Sequence, residues 1–91
     1  ACAAAIATLD LYREERLFER AATLEEPWAD AMHGLRGLPN VLDIRTVGLV
    51  AAIDLASRPD AVGARAFEAM DRAFQEHGLM IRVTADTIAL T

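Results

Sequence analysis

All nine basic side chains in this 91-residue sequence are arginine; there is no lysine. A chain without lysine cannot form a Schiff base through a side chain and cannot carry a P-loop lysine. Arginine offers a planar fork of donors that meets two carboxylate oxygens at once, which an ammonium cannot do. Three arginines fall in strand-like or turn-like surroundings: Arg45, Arg58 and Arg82. Arg82 stands out because it interrupts the otherwise apolar run Gly78-Leu79-Met80-Ile81-Arg82-Val83. A charge in such a strand is either an edge or solvent-face residue, or a guanidinium held on a rigid support and aimed at a carboxylate. Periodicity alone leaves both readings open. Arg45 shares a side with Asp43 and is expected to face water, and Arg58 lies in a turn.

The other reactive residue types form no constellation. Cys2 is the only thiol, so no internal disulfide can form, and a reducing, cytoplasmic setting is the expectation. No base can be placed beside it, and it reads as a small apolar helix residue. Asp30 and His33 share a helix face, but two ligands do not make a metal site. His77 precedes Gly78 at a helix end, where an imidazolium suits the dipole. Glu14, Glu15, Glu19, Glu25 and Glu26, interleaved with Arg13, Arg16 and Arg20, read as a solvated helix surface. Trp28 falls within an apolar stripe and is expected in a core or a domain interface. No residue is expected to act as a catalytic group or metal ligand within this chain.

The chain is long enough for one domain, residues 1–91, and no more. Apolar residues at 54% exclude disorder. No apolar run reaches the ~20 residues of a bilayer span, and a net charge of -5 argues against a nucleic-acid surface. Both ends are apolar or alanine-rich, which predicts a piece of a larger protein.

The elements follow from periodicity. Residues 1–14 predict an alanine-rich helix with Ile6, Leu9 and Tyr12 at helical spacing. Residues 16–36 predict a second helix along Leu17, Ala21, Leu24, Trp28, Ala31 and Leu35. Pro27 should kink or restart it, with Thr23 and Glu26 as a capping box. The period then becomes two. Residues 41–46 and 48–56 predict a hairpin around Gly48, with Leu42 and Ile44 on one side. A helix over roughly 60–77 is expected, capped by Ser57 or Asp60, with Phe67, Met70 and Phe74, and Ala66 and Ala73 beside them, on its inner face and Gly78 at its end. Leu79, Ile81 and Val83 should then point one way and Met80 and Arg82 the other, before a turn at 84–86 and a last strand at 87–90. The order is ααββαββ, an α+β domain whose antiparallel sheet carries helices on one face. The alanine face of the first helix predicts close packing against another body.

In ordered series the sequence closely resembles the C-terminal part of class III (ω-amino acid) aminotransferases, nearest to the β-alanine and ω-amino acid–pyruvate enzymes. The matching stretches run from Ala1 to Glu15, Leu17 to Ala21, Leu35 to Val41, Gly48 to Val50, Gly78 to Thr84 and Asp86 to Leu90. The resemblance implies the small C-terminal domain of a fold-type I homodimer that uses pyridoxal 5'-phosphate. The lysine that holds the cofactor would lie upstream of this stretch. It also implies that Arg82, in the Leu-x-x-Arg strand, grips the carboxylate of pyruvate or the amino donor, and swings aside for an apolar group. Two departures stand out: Ala85 occupies a position where the nearest relatives usually have glycine, and Pro27 is shifted by one. The rival reading is a stand-alone α+β module that binds a ligand or a protein without catalysis.

Overall fold

The computed structural model describes all residues, 1–91. Seven elements follow one another: helix α1 (Cys2–Glu14), helix α2 (Leu17–His33), strands β1 (Val41–Val47) and β2 (Val50–Leu55), helix α3 (Ala64–His77), and strands β3 (Arg82–Thr84) and β4 (Thr87–Leu90). The strands form one antiparallel sheet in the order β1-β2-β4-β3, so β1 and β3 are its edges. The α+β class expected from the changing period is the one observed.

The sheet has two chemically different faces. Ile44, Ile53, Ile88 and Val83 stand opposite one another in register across all four strands. They pack against Ala66 of α3 and against Met32 of α2 and the following Leu35. One residue further along each strand, the side chains face the other way. There Arg45, Ala52, Ala89 and Arg82 form one row, and Asp43, Asp54, Thr87 and Thr84 form another.

Several expected details are corrected by packing. Helix α2 runs unbroken through Pro27. The Thr23 hydroxyl donates to the Arg20 carbonyl at 2.7 Å instead of capping a restart. The break lies earlier, at Arg16, whose backbone is left-handed (φ 52°) between α1 and α2. Leu42 does not share the Ile44 side. The register slips between Val41 and Asp43, so Leu42 is the extra residue of a bulge and is exposed, while Val41 takes the place at the core. On α3 Ala66 is buried on the inner face as expected, joined by Ala69, and Met70 is half-buried, but Phe67 and Phe74 are turned outward. Alanine lets the helix lie close over the isoleucine row, and the phenylalanines would hold it away. Strand β3 begins only at Arg82, so Leu79 and Met80 lie outside the sheet and are exposed.

The start of α3 also differs. It begins at Ala64, with Gly63 (φ 86°) before it, and neither Ser57 nor Asp60 caps it. The cap comes from Asp86, in the β3–β4 turn. Its Oδ2 accepts from the Gly63 amide at 2.7 Å and its Oδ1 from the Ala66 amide at 3.2 Å. Its carbonyl accepts from the Leu55 amide at 2.9 Å. A buried carboxylate at a helix N-terminus satisfies amides that have no partner within the helix. Asp86 is the only buried charged residue in the chain. The Gly63 amide, then the Ser57 hydroxyl, then the Ala66 and Arg65 amides hold its carboxyl below the ordinary aspartate value.

Helix α1 has no buried residue and touches the rest mainly through an edge-on contact of Tyr12 with Phe18, ring centroids 5.3 Å apart. The molecule is correspondingly long, 49 × 30 × 22 Å, with a radius of gyration of 16.3 Å. A compact domain of this length would have about 12 Å. No helix is long and apolar enough to cross a membrane.

Two outcomes follow from the β3–β4 turn. Ala85 adopts φ 49°, a left-handed conformation that costs a residue with a Cβ roughly 1–2 kcal/mol. Its side chain is exposed. Ala85→Gly is therefore expected to stabilise the fold by about 1 kcal/mol in urea unfolding. The pH dependence runs the other way. Because the Asp86 carboxyl titrates lower in the folded chain than in the unfolded one, its contribution is complete above the unfolded value of about 3.9 and is lost as pH falls through the folded value. Asp86→Asn should lower Tm by several degrees at neutral pH and flatten its fall below about pH 4, as measured by thermal melts.

Candidate functional site

The site is built on the open face and β3 edge of the sheet. Gly48 opens the β1–β2 hairpin with φ 54°, and Val47 pairs with Val50 across a two-residue turn. That turn sets which residues of β1 face outward, and it brings Arg45 opposite Ala52. Pairing of β2 with β4, and β4 with β3, then carries the row across to Arg82. Two arginines therefore stand at opposite edges of one face, separated by two alanines.

Their electrostatic states differ. The Arg45 guanidinium donates to Asp43 Oδ2 at 2.8 Å and to Asp54 at 2.5 and 3.1 Å. The Thr87 hydroxyl adds a bond to Asp54 Oδ1 at 2.8 Å. The hydrogen bond from Arg45, and then that from Thr87, hold the Asp54 carboxyl below its ordinary value, and Arg45 is pushed up in turn. Arg45 is thus a neutralised structural cation. Arg58 is likewise paired, with Glu68 of α3. Arg82 is exposed and takes part in none of the ion pairs or side-chain hydrogen bonds of the chain.

Beside Arg82 lies a groove of about 730 Å³ with mainly apolar walls, among them Trp28 of α2, Met70 of α3 and the segment Leu79-Met80-Ile81. Trp28 is half-buried, and its indole N–H is buried without an acceptor. A cation at the rim of an apolar trough can receive a carboxylate that carries a small apolar body.

The remaining candidates do not join this site. Cys2 is exposed on α1. His33 Nε2 lies 3.2 Å from Thr46 Oγ1, tying α2 to β1. His77 ends α3 beside Glu76. The glutamates of α1 and α2 are exposed, and the interleaved arginines reach only Arg16–Glu19, at 3.5 Å, and Arg13–Asp10, at 3.6 Å. No three histidine, cysteine or acidic side chains converge as a metal site. Two features escaped sequence reasoning. The Asp43–Arg45–Asp54–Thr87 network was half visible, since Asp43 and Arg45 share a strand side, but Asp54 and Thr87 join only through pairing. The capping role of Asp86 had no local signal, because the amides it caps lie 20 or more residues away.

Comparison with known proteins adds the relatives. No family model matches. Over all 91 residues the chain is 56% identical to the omega-aminotransferase of Caulobacter vibrioides. Over 88 residues it is 39% identical to the beta-alanine–pyruvate aminotransferase of Pseudomonas aeruginosa. The chain spans only about one fifth of the length of these relatives, 20% and 19%. Among solved structures, a thermostable omega transaminase variant from Pseudomonas jessenii superposes with a TM-score of 0.80 at 31% identity, over 90% of this chain and 19% of that one. The adenosylmethionine-8-amino-7-oxononanoate aminotransferase of Methanocaldococcus jannaschii gives 0.82 at 26% identity, over 98% of this chain and 22% of that one. Sequence and fold agree over almost every residue, and the chain is similar along its whole length to about one fifth of an omega-aminotransferase.

Proposed function

We propose that this chain is the C-terminal small domain of an ω-amino acid–pyruvate aminotransferase, and that Arg82 binds the carboxylate of pyruvate or of its product alanine. The observation that carries the reading is the unpaired Arg82 guanidinium beside an apolar groove, on a face where Arg45 is neutralised by two aspartates. A guanidinium already locked to an acid could not exchange partners with a substrate. An exposed one on a short edge strand can receive an anion.

The whole enzyme would take its amino donor and pyruvate as substrates and pyridoxal 5'-phosphate as cofactor. The names of its relatives, and the solved complex of the Pseudomonas jessenii omega transaminase with PMP, support this. The residues present here do not fit that cofactor as a site of their own. There is no lysine to hold it, and the groove beside Arg82 offers mainly apolar walls where a phosphate needs donors. The contribution of this chain is to place charge and shape the approach of substrate. A homodimer, on the strength of the class III resemblance, in the reducing cytoplasm that a single free thiol suits, completes the reading. A stand-alone binding module is not favoured, since the matches extend along the whole chain to enzymes five times its length.

A charge-assisted bidentate contact contributes about 1.5–3 kcal/mol. In the full-length enzyme, Arg82→Ala should raise KM for pyruvate about 10- to 100-fold and leave KM for an uncharged ketone or aldehyde acceptor within about twofold. Arg82→Lys should show the same selectivity at smaller size, because the ammonium lacks the fork. Equal losses for both acceptors in steady-state kinetics would refute the role. The 91-residue chain alone, mixed with pyridoxal phosphate, should show neither transamination nor a bound-cofactor absorption band.

A further inference from the structure

Arg82 stands on a poorly supported strand. Strand β3 has three residues and one neighbour, β4, and the segment 78–81 that leads into it makes no strand pairing. Arg82 pairs with Ala89, the residue pair furthest from the turn, roughly 10 Å along the strand from Ala85. A small tilt of the hairpin at its turn therefore becomes a larger displacement at Arg82. The apolar contacts of Ile81 and Val83 hold β3 down on the core but are not directional.

The directional restraint lies at the turn. The Asp86 carboxylate binds two amides at the start of α3, and the Asp86 carbonyl binds the Leu55 amide at the end of β2. Gly63 is a neighbour of Ala85: a Cβ built on the glycine would stand 3.6 Å from the Ala85 backbone, at ordinary van der Waals contact. The hairpin tip is thereby tied to two other elements, and Ala85 is held in a left-handed conformation that alanine disfavours.

We propose that Asp86 is a positioning residue for Arg82: by clamping the β3–β4 turn to the first turn of α3 and to β2, it fixes the edge strand from which the guanidinium projects. This rests on the reading of Arg82 as the carboxylate receptor. Asp86 touches no substrate, and its effect reaches the substrate only through the placement of β3. A misplacement of about 1 Å at a group that orients substrate can lower turnover about a hundredfold.

The test uses the full-length enzyme with Asp86→Ala, Asp86→Asn and Arg82→Ala, with pyruvate and an uncharged aldehyde as alternative acceptors. Asp86→Ala is expected to raise KM for pyruvate about tenfold while KM and kcat with the aldehyde stay within about twofold. Asp86→Asn keeps the shape and one acceptor oxygen, and it should recover most of the loss. Hydrogen exchange by mass spectrometry should show faster exchange in peptides covering 82–90 and 63–67 of the Ala variant. Equal losses for both acceptors, or an unchanged KM for pyruvate despite faster exchange, would overturn the proposal while leaving Arg82 in its role. If Arg82→Ala itself shows no selectivity for pyruvate, both readings fall. Should the Ala variant not fold, the Asn variant decides, with a pyruvate-selective rise of about threefold expected and none overturning the proposal.

Discussion

The carboxylate of Asp86 is the one charge that the fold takes out of water, and the arrangement of the second half of the chain depends on it. A buried carboxylate is costly unless every oxygen is engaged. Here both oxygens are engaged by backbone amides that would otherwise lack partners at a helix start. The desolvation of one group and the orphan donors of another thus cancel each other. The result is a joint between a hairpin and a helix that are distant in sequence. The same joint explains why Gly63 sits beside the turn, and why α3 begins several residues later than its local capping residues would set it.

The sheet separates packing from charge by the alternation of its strands. One face presents a ladder of branched aliphatic side chains to two helices. The other presents acids, threonines, alanines and two arginines. On that second face the cations are handled differently. Arg45 is fenced by Asp43 and Asp54, with Thr87 bracing Asp54. Arg82 has no such fence. The small side chains of Ala52 and Ala89 between them leave the middle of the face open. One cation serves the structure, and the other remains available to an external anion.

Only six of the 91 residues are buried, whereas large apolar side chains such as Phe18, Phe67, Phe74 and Met80 are more than half exposed. A core this small holds the sheet and two helix faces together but leaves α1 with no buried residue and only its contact with α2. Apolar exposure on this scale marks surfaces that meet another body. It accords with a chain that aligns along its whole length with one fifth of its relatives.

The sequence by itself determined the class and order of elements, because each rests on local periodicity. Helical spacing marked α1 and α2, alternation marked the hairpin, and Gly48 and Gly78 marked a turn and a helix end. The prominence of Arg82 was also legible, as a charge within an apolar run, although the role proposed for it came from resemblance. Tertiary structure decided what periodicity cannot carry. Leu42 is displaced by a bulge that depends on pairing with β2. The phenylalanines of α3 turn outward, and alanine takes the fully buried place over the isoleucine ladder. Pro27 is accommodated within a helix that continues around it. Asp86 and Asp54 acquire their partners only when strands far apart in sequence align. A side chain's environment is a sum over neighbours in space, and the chain order specifies only those within a turn or two.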